Sequence, residues 1–133
     1  MVALALVLIV SVFAHSAITN YTNVSSPQKT EELKSLGLSL AGQVTDSHDR
    51  IIARLPHIAH YAGLTPFMFP TGIESPEELV SYCRSRNITF VAYTFAELQE
   101  RPELRVLWDQ LDPSPDLIRV AANRAGVVFR VKP

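Results

Sequence analysis

Cysteine is almost absent: Cys83 stands alone among 133 residues, which excludes an intrachain disulfide. A lone cysteine on a predicted helix reads as a small buried apolar residue. The five glycines are scattered, so no glycine-rich loop is present to cradle a phosphate, and no cofactor is expected. Charge of one sign is also lacking. Thirteen acids and twelve bases are interspersed, the net charge is −1, and no basic stripe forms, so nucleic acid is not an expected partner. There is no internal repeat and no low-complexity tract.

Hydrophobicity, by contrast, is concentrated at one end. Met1 to Ile18 is interrupted only by Ser11, His15 and Ser16. Eighteen helical residues span about 27 Å, close to a hydrocarbon core, so residues 1–20 are expected to form a transmembrane helix. The alternative is a signal peptide: Ala14-His15-Ser16 offers small residues before a cut, although Met1-Val2-Ala3-Leu4 supplies no basic n-region. The missing basic flank suggests the tail of a longer chain. The rest, roughly 110 residues, suffices for one core and is expected outside the cytoplasm.

Residues 21–45 read as a linker and a juxtamembrane helix. Ser26-Pro27 makes a helix start, Leu33, Leu36 and Leu40 recur at helical spacing, and Gly42 is a stop. Residues 46–133 read as a soluble α/β domain. Asp46-Ser47-His48-Asp49 is a turn and Ile51-Ile52-Ala53 a short buried strand ending at Arg54. His57–Tyr61 makes one or two helical turns closed by Gly63. Residues 66–70, bounded by Pro66 and Pro70, belong at a sheet edge or at strand ends. Ser75-Pro76-Glu77-Glu78 opens a helix with a capping box, closed at Asn87. Ile88–Tyr93 is the best strand. Thr94 with Glu97 repeats the capping logic for a short helix, and Pro102 starts another turn carrying Leu104, Leu107, Trp108 and Leu111. Strands at 117–120 and 127–131 flank a hairpin turn at Asn123-Arg124-Ala125-Gly126. The order predicts a small α/β layer fold, a mixed sheet closed by an antiparallel hairpin.

No complete catalytic constellation follows. His57 and His60 lie three apart, but a metal needs further ligands, and Asp46 and Asp49 lie across a predicted strand. Ser47, His48 and Asp49 are neighbours in a turn, which does not position a nucleophile, base and orienter. Asn20, Asn23 and Asn87 each open a glycosylation triplet, a pattern common by chance. The informative segment is Arg54-Leu55-Pro56-His57-Ile58-Ala59-His60-Tyr61. A strand delivers Arg54 to a proline turn, and two imidazoles and a phenol crowd the next turn. Strand ends and the loops after them are where α/β folds place ligands, and a guanidinium suits an anionic group such as a lipid phosphate. Arg54, His57, His60 and Tyr61 are therefore the candidate ligand-binding residues.

The order of motifs carries a resemblance. An apolar segment and a polar helix are followed by Asp49-Arg50-Ile51-Ile52-Ala53-Arg54-Leu55-Pro56-His57-Ile58-Ala59-His60-Tyr61-Ala62-Gly63 and a run ending Phe69-Pro70. Then come Ser75-Pro76-Glu77-Glu78-Leu79, Asn87-Ile88-Thr89-Phe90-Val91-Ala92 and a closing Gly126-Val127-Val128-Phe129-Arg130-Val131. Over nearly its whole length the chain resembles the C-terminal extracytoplasmic region of bacterial polytopic glycosyltransferases of the protein mannosyltransferase and aminoarabinose transferase type. The resemblance implies a last membrane helix, a membrane-lipid environment, a polyprenyl-phosphate sugar as donor, and the remaining part of a polytopic transferase as partner. The catalytic carboxylate of such enzymes lies in their first extracytoplasmic loop, so the resemblance assigns no catalytic residue here.

Overall fold

Apolar positions alternate along the central strands so that both faces of each are buried. Ile51 faces one way and Ile52 the other, and Phe90 and Ala92 oppose Val91 and Tyr93. Strands with no wet face must be covered on both sides, and the computed structural model, which describes residues 27–133, shows this. Helix α1 spans Pro27–Ala41, and the compact unit runs from Glu31 to Pro133. Strand β1 (Arg50–Ile52), helix α2 (Pro56–Ala62), strand β2 (Thr65–Phe67), helix α3 (Pro76–Ser85) and strand β3 (Phe90–Thr94) follow. Helix α4 (Phe95–Glu100), a 3-10 turn (Pro102–Leu104), helix α5 (Val106–Asp109) and strands β4 (Leu117–Ala122) and β5 (Gly126–Val131) complete the unit.

The five strands lie in the order β2-β1-β3-β5-β4. β1 runs parallel to β2 and β3, with Ile51 opposite Pro66 on one side and Phe90 on the other. β3 and β5 are antiparallel, as are β5 and β4. The expected small α/β domain, mixed sheet and terminal hairpin are therefore all present. Leu33, Leu36 and Leu40 of α1 and Ile58, Ala59 and Ala62 of α2 cover one face, against Ile51, Phe90, Ala92 and Val128. Leu79, Val80 and Cys83 of α3, with Leu104 and Leu107, cover the other, against Ile52, Val91, Tyr93 and Phe129.

Local chemistry explains most boundaries. Ser75 Oγ accepts from the Glu78 amide at 3.2 Å, and the Glu78 carboxylate accepts from the Glu74 amide at 2.8 Å. The capping box thus closes one residue upstream of the Ser75 amide that the motif predicts. Gly63 ends α2 at φ 71°, a left-handed conformation that an L side chain resists. Pro66 sits in the three-residue strand β2 at the sheet edge, where no ladder donor is needed on the outer side. Gly42 follows the last residue of α1 but is not left-handed; the positive-φ glycines among the described residues are Gly63 and Gly72. Leu111, grouped by spacing with Leu107, is 70 % exposed beyond the end of α5.

Among the described residues no helix is long and apolar enough to cross a membrane. The expected span or leader at residues 1–20, the linker up to Ser26, and the triplets at Asn20 and Asn23 lie outside the described residues.

Candidate switch-point site

The chain runs from β1 to β2 on one side, then returns past β1 to lay β3 on its other side. Connections that leave in opposite directions open a crevice at the carboxyl ends of the two strands between them, and open α/β sheets bind ligands there. Here that place lies beyond Ile52 of β1 and Thr94 of β3.

Two segments meet at it. From β1 comes Arg54, whose guanidinium lies 3.8 Å from Glu100 of α4. The Arg54 side chain is 39 % exposed and that of Glu100 60 %, so water screens the pair and it contributes at most about 1 kcal/mol. From β3 the chain passes without a loop into α4. Thr94 Oγ1 accepts from the Ala96 amide at 3.3 Å and donates to Glu97 Oε2 at 2.8 Å. Glu97 is completely buried, and its Oε1 has no hydrogen-bond partner among the described residues. Burial pushes the Glu97 carboxyl above the ordinary carboxylate range, against the pull of the Thr94 hydroxyl and the Arg54 charge. A buried acceptor left unsatisfied costs about 1–3 kcal/mol; Arg119 Nε on β4 is likewise buried without a partner among the described residues.

The neighbours are fixed. The Tyr93 hydroxyl donates to the Arg101 carbonyl at 2.8 Å, and burial first, then nearby acids, raise the Tyr93 phenol to about 12. The Arg101 guanidinium donates to the Phe69 carbonyl at 3.5 Å and stacks over the Phe69 ring at 5.3 Å. These contacts tie the end of α4 to the chain beyond β2.

The four residues singled out by sequence have different surroundings. Arg54 stands just beyond the carboxyl end of β1, beside Glu100 of α4. His57 and His60 lie on the exposed side of α2. The His60 and Tyr61 rings meet edge to face at 5.1 Å, and Lys34 of α1 lies 5.8 Å from the centre of the Tyr61 ring. A side chain on Gly37 would come within 2.8 Å of Tyr61 Cβ and the Ile58 carbonyl, so Gly37 lets α1 and α2 approach closely. Tyr61 is thus engaged with α1, and Arg54 is paired with α4 and with neither imidazole. No group of three or more His, Cys, Asp or Glu that could hold a metal ion occurs among the described residues. In the 46–49 turn the His48 amide donates to Asp46 Oδ1 at 2.9 Å, and Asp49 Oδ1 accepts from Thr89 at 2.8 Å, which ties the turn to the start of β3. Cys83 is buried, and burial lifts its thiol to about 12, so it is protonated and unreactive.

Glu97 escaped the sequence reading because it completes Thr94's capping pattern, which normally marks a solvent-facing acid. The available signal was its setting: it follows a strand buried at every position, with Phe95, Ala96 and Leu98 around it and no polar loop between. No protein-family model, no curated protein and no solved structure matches the chain.

Proposed function

We propose that this chain is the last membrane helix and extracytoplasmic α/β domain of a membrane glycosyltransferase that uses a polyprenyl-phosphate sugar, with the catalytic part carried elsewhere. Its role is to cap the outer face of the transferase and help position donor or acceptor. The observation that carries this reading is the fate of Asp49–Gly63, the longest stretch behind the resemblance. It forms β1 and α2 and leaves Arg54 at the switch point, half-exposed and loosely paired. A guanidinium so placed can meet an anionic headgroup.

N-terminal sequencing of the expressed chain, in membrane and soluble fractions, tests the reading. An intact Met1 in the membrane fraction supports it. A mature soluble start near Ala17 or Ile18 overturns it in favour of an exported α/β binding module. That second reading has its own support: Glu31–Pro133 supplies a core on both faces of its sheet from its own residues. Within a full-length parent enzyme, Arg54→Ala should lower transfer while leaving the domain folded, and unchanged transfer would remove the crevice from the reading.

A further inference from the structure

We propose that the free edge of β4 is a docking site for an extended peptide strand, which adds to the sheet beside Leu117–Arg119 and sets a carboxylate side chain on the Arg119 guanidinium. The site lies at the opposite edge of the sheet from β2. It does not rest on the transferase reading, because β4 and the loop before it define it.

The two edges of the sheet differ. β2 is three residues long, and Pro66 at its centre has no amide to donate. β4 is six residues long and contains no proline. An edge strand of that length presents unpaired amides and carbonyls to any strand that reaches it. The ladder shows which ones. The Asp116 carbonyl accepts from the Lys132 amide at 2.9 Å, so Asp116 addresses the β5 side. Backbone groups alternate in direction along a strand, so those of Ile118 also address β5, and those of Leu117 and Arg119 face outward. The Leu117 amide is taken by the Ser114 carbonyl at 3.2 Å. The Arg119 amide and carbonyl have no strand beside them among the described residues. A register shift between Arg119 and Ala121 interrupts the regular edge there, so the open stretch is short and includes Arg119.

The Arg119 side chain is open as well. Its Nε is buried without a hydrogen-bond partner, and its guanidinium enters no ion pair among the described residues. The Arg130 guanidinium, on the neighbouring strand, instead donates to the Gln43 carbonyl at 2.7 Å. Arg119 lines a groove of about 590 Å³ with Leu111, Asp112, Ser114, Ile118 and Lys132. Two cations against one acid leave this lining positive, and Leu111 and Ile118 expose apolar surface in it. These features select the occupant. A free backbone edge pairs with a strand, exposed apolar side chains favour β-branched neighbours on that strand, and an orphan guanidinium holds a carboxylate through two parallel hydrogen bonds. A second copy of the chain meets only part of this. Outward-facing residues pair with outward-facing residues, so antiparallel self-pairing sets Arg119 against Leu117 or Arg119 of the second copy and supplies no carboxylate.

The test is selection of random dodecapeptides displayed on phage against the full chain in neutral detergent micelles, with Ile118→Lys as the counter-selection target. Recovered peptides are then made with blocked ends and titrated by fluorescence anisotropy. They should share an aspartate or glutamate among β-branched residues. Arg119→Ala should weaken their binding about tenfold. Replacing the peptide's acid by its amide should weaken binding to wild type equally and leave binding to Arg119→Ala unchanged. A merely structural role for Arg119 would not produce that non-additivity. Proline on both sides of the acid should abolish binding although the charge is kept. The peptide changes, and Ile118→Lys at an exposed position, read the same contact without disturbing the packing of Arg119; circular dichroism confirms that both protein variants fold. The proposal is overturned if no peptide is recovered above the Ile118→Lys background, or if binding survives Arg119→Ala. It is also overturned if the proline peptides bind like their parents, which would make charge alone the attraction. A wild-type dimer in sedimentation that Ile118→Lys converts to monomer would overturn it too, by naming a second copy as the occupant.

Discussion

The two ends of the sheet are built on opposite terms. At the end where β1 and β3 begin, charged groups are matched closely. Arg84 lies 3.1 Å from Asp116 and donates to the Lys132 carbonyl at 3.1 Å and the Pro133 carbonyl at 3.3 Å. Arg50 donates to the Arg86 carbonyl at 3.2 Å, and Thr89 donates to Asp49. At the end where β1 and β3 finish, the cation is loosely paired and a buried carboxyl oxygen has no partner. The first end holds elements together. The second leaves the Glu97 Oε1 oxygen without a partner and holds its cation only loosely.

The largest perturbation should abolish the comparison altogether. Phe129 is fully buried and packs in the layer beneath α3, and β5 also borders β3, which supports both ends. Phe129→Ala should cost about 3–5 kcal/mol. Urea unfolding followed by circular dichroism should still show one transition, at a much lower midpoint. Two separated transitions would mean that the ends are not one cooperative unit.

Glu97→Gln should sharpen the comparison with the opposite sign. The folded carboxyl is raised by burial, so between its unfolded and folded titrations the native state binds more protons than the unfolded one. Stability from this group is therefore fully present below the unfolded carboxyl range and is lost as pH rises through the folded value. The glutamine variant removes that loss. It should be less destabilised than wild type on going from pH 4 to pH 8. Urea midpoints at the two pH values check this, and a destabilisation at pH 8 would show that the charged form is favourable where it lies. At the opposite end, Arg84→Ala should destabilise by about 1 kcal/mol, because the lost ion pair and carbonyl contacts are half-exposed.

Local pattern made most of the fold legible. Ser75-Pro76 with Glu78, Gly63 after a short apolar helix, and the alternation through Ile51-Ile52 and Phe90–Tyr93 each act within a few residues, so their outcomes follow from neighbouring chemistry. Arg54 was legible for the same reason, since a short buried strand ending in Arg-Leu-Pro places a cation at a strand end. The rest depended on topology. Glu97 lies forty-three positions after Arg54, and only the return of β3 to the side of β1 opposite β2 brings the two segments together. Tyr61 was grouped with Arg54 by proximity in sequence, but the absence of a side chain at Gly37 draws it to α1. A helical periodicity shows which side of α2 is apolar. It does not show which helix will meet the other side.

The smallest expected effect on stability is at Arg54, and it is the most discriminating. If Arg54 were an element of structure like Arg84, its removal should cost a similar amount. Its exposed pair at 3.8 Å predicts instead a change within about 0.5 kcal/mol. One further consequence separates it from an ordinary surface residue. Its positive field lowers the Glu97 carboxyl, so its loss should shift the Glu97 titration upward. That shift can be followed by carbon-13 NMR of the glutamate carboxyls. The expected result for Arg54→Ala is an unfolding midpoint near wild type together with a Glu97 titration moved to higher pH. An unmoved Glu97 titration would uncouple the two residues and leave the crevice no different from any other stretch of surface.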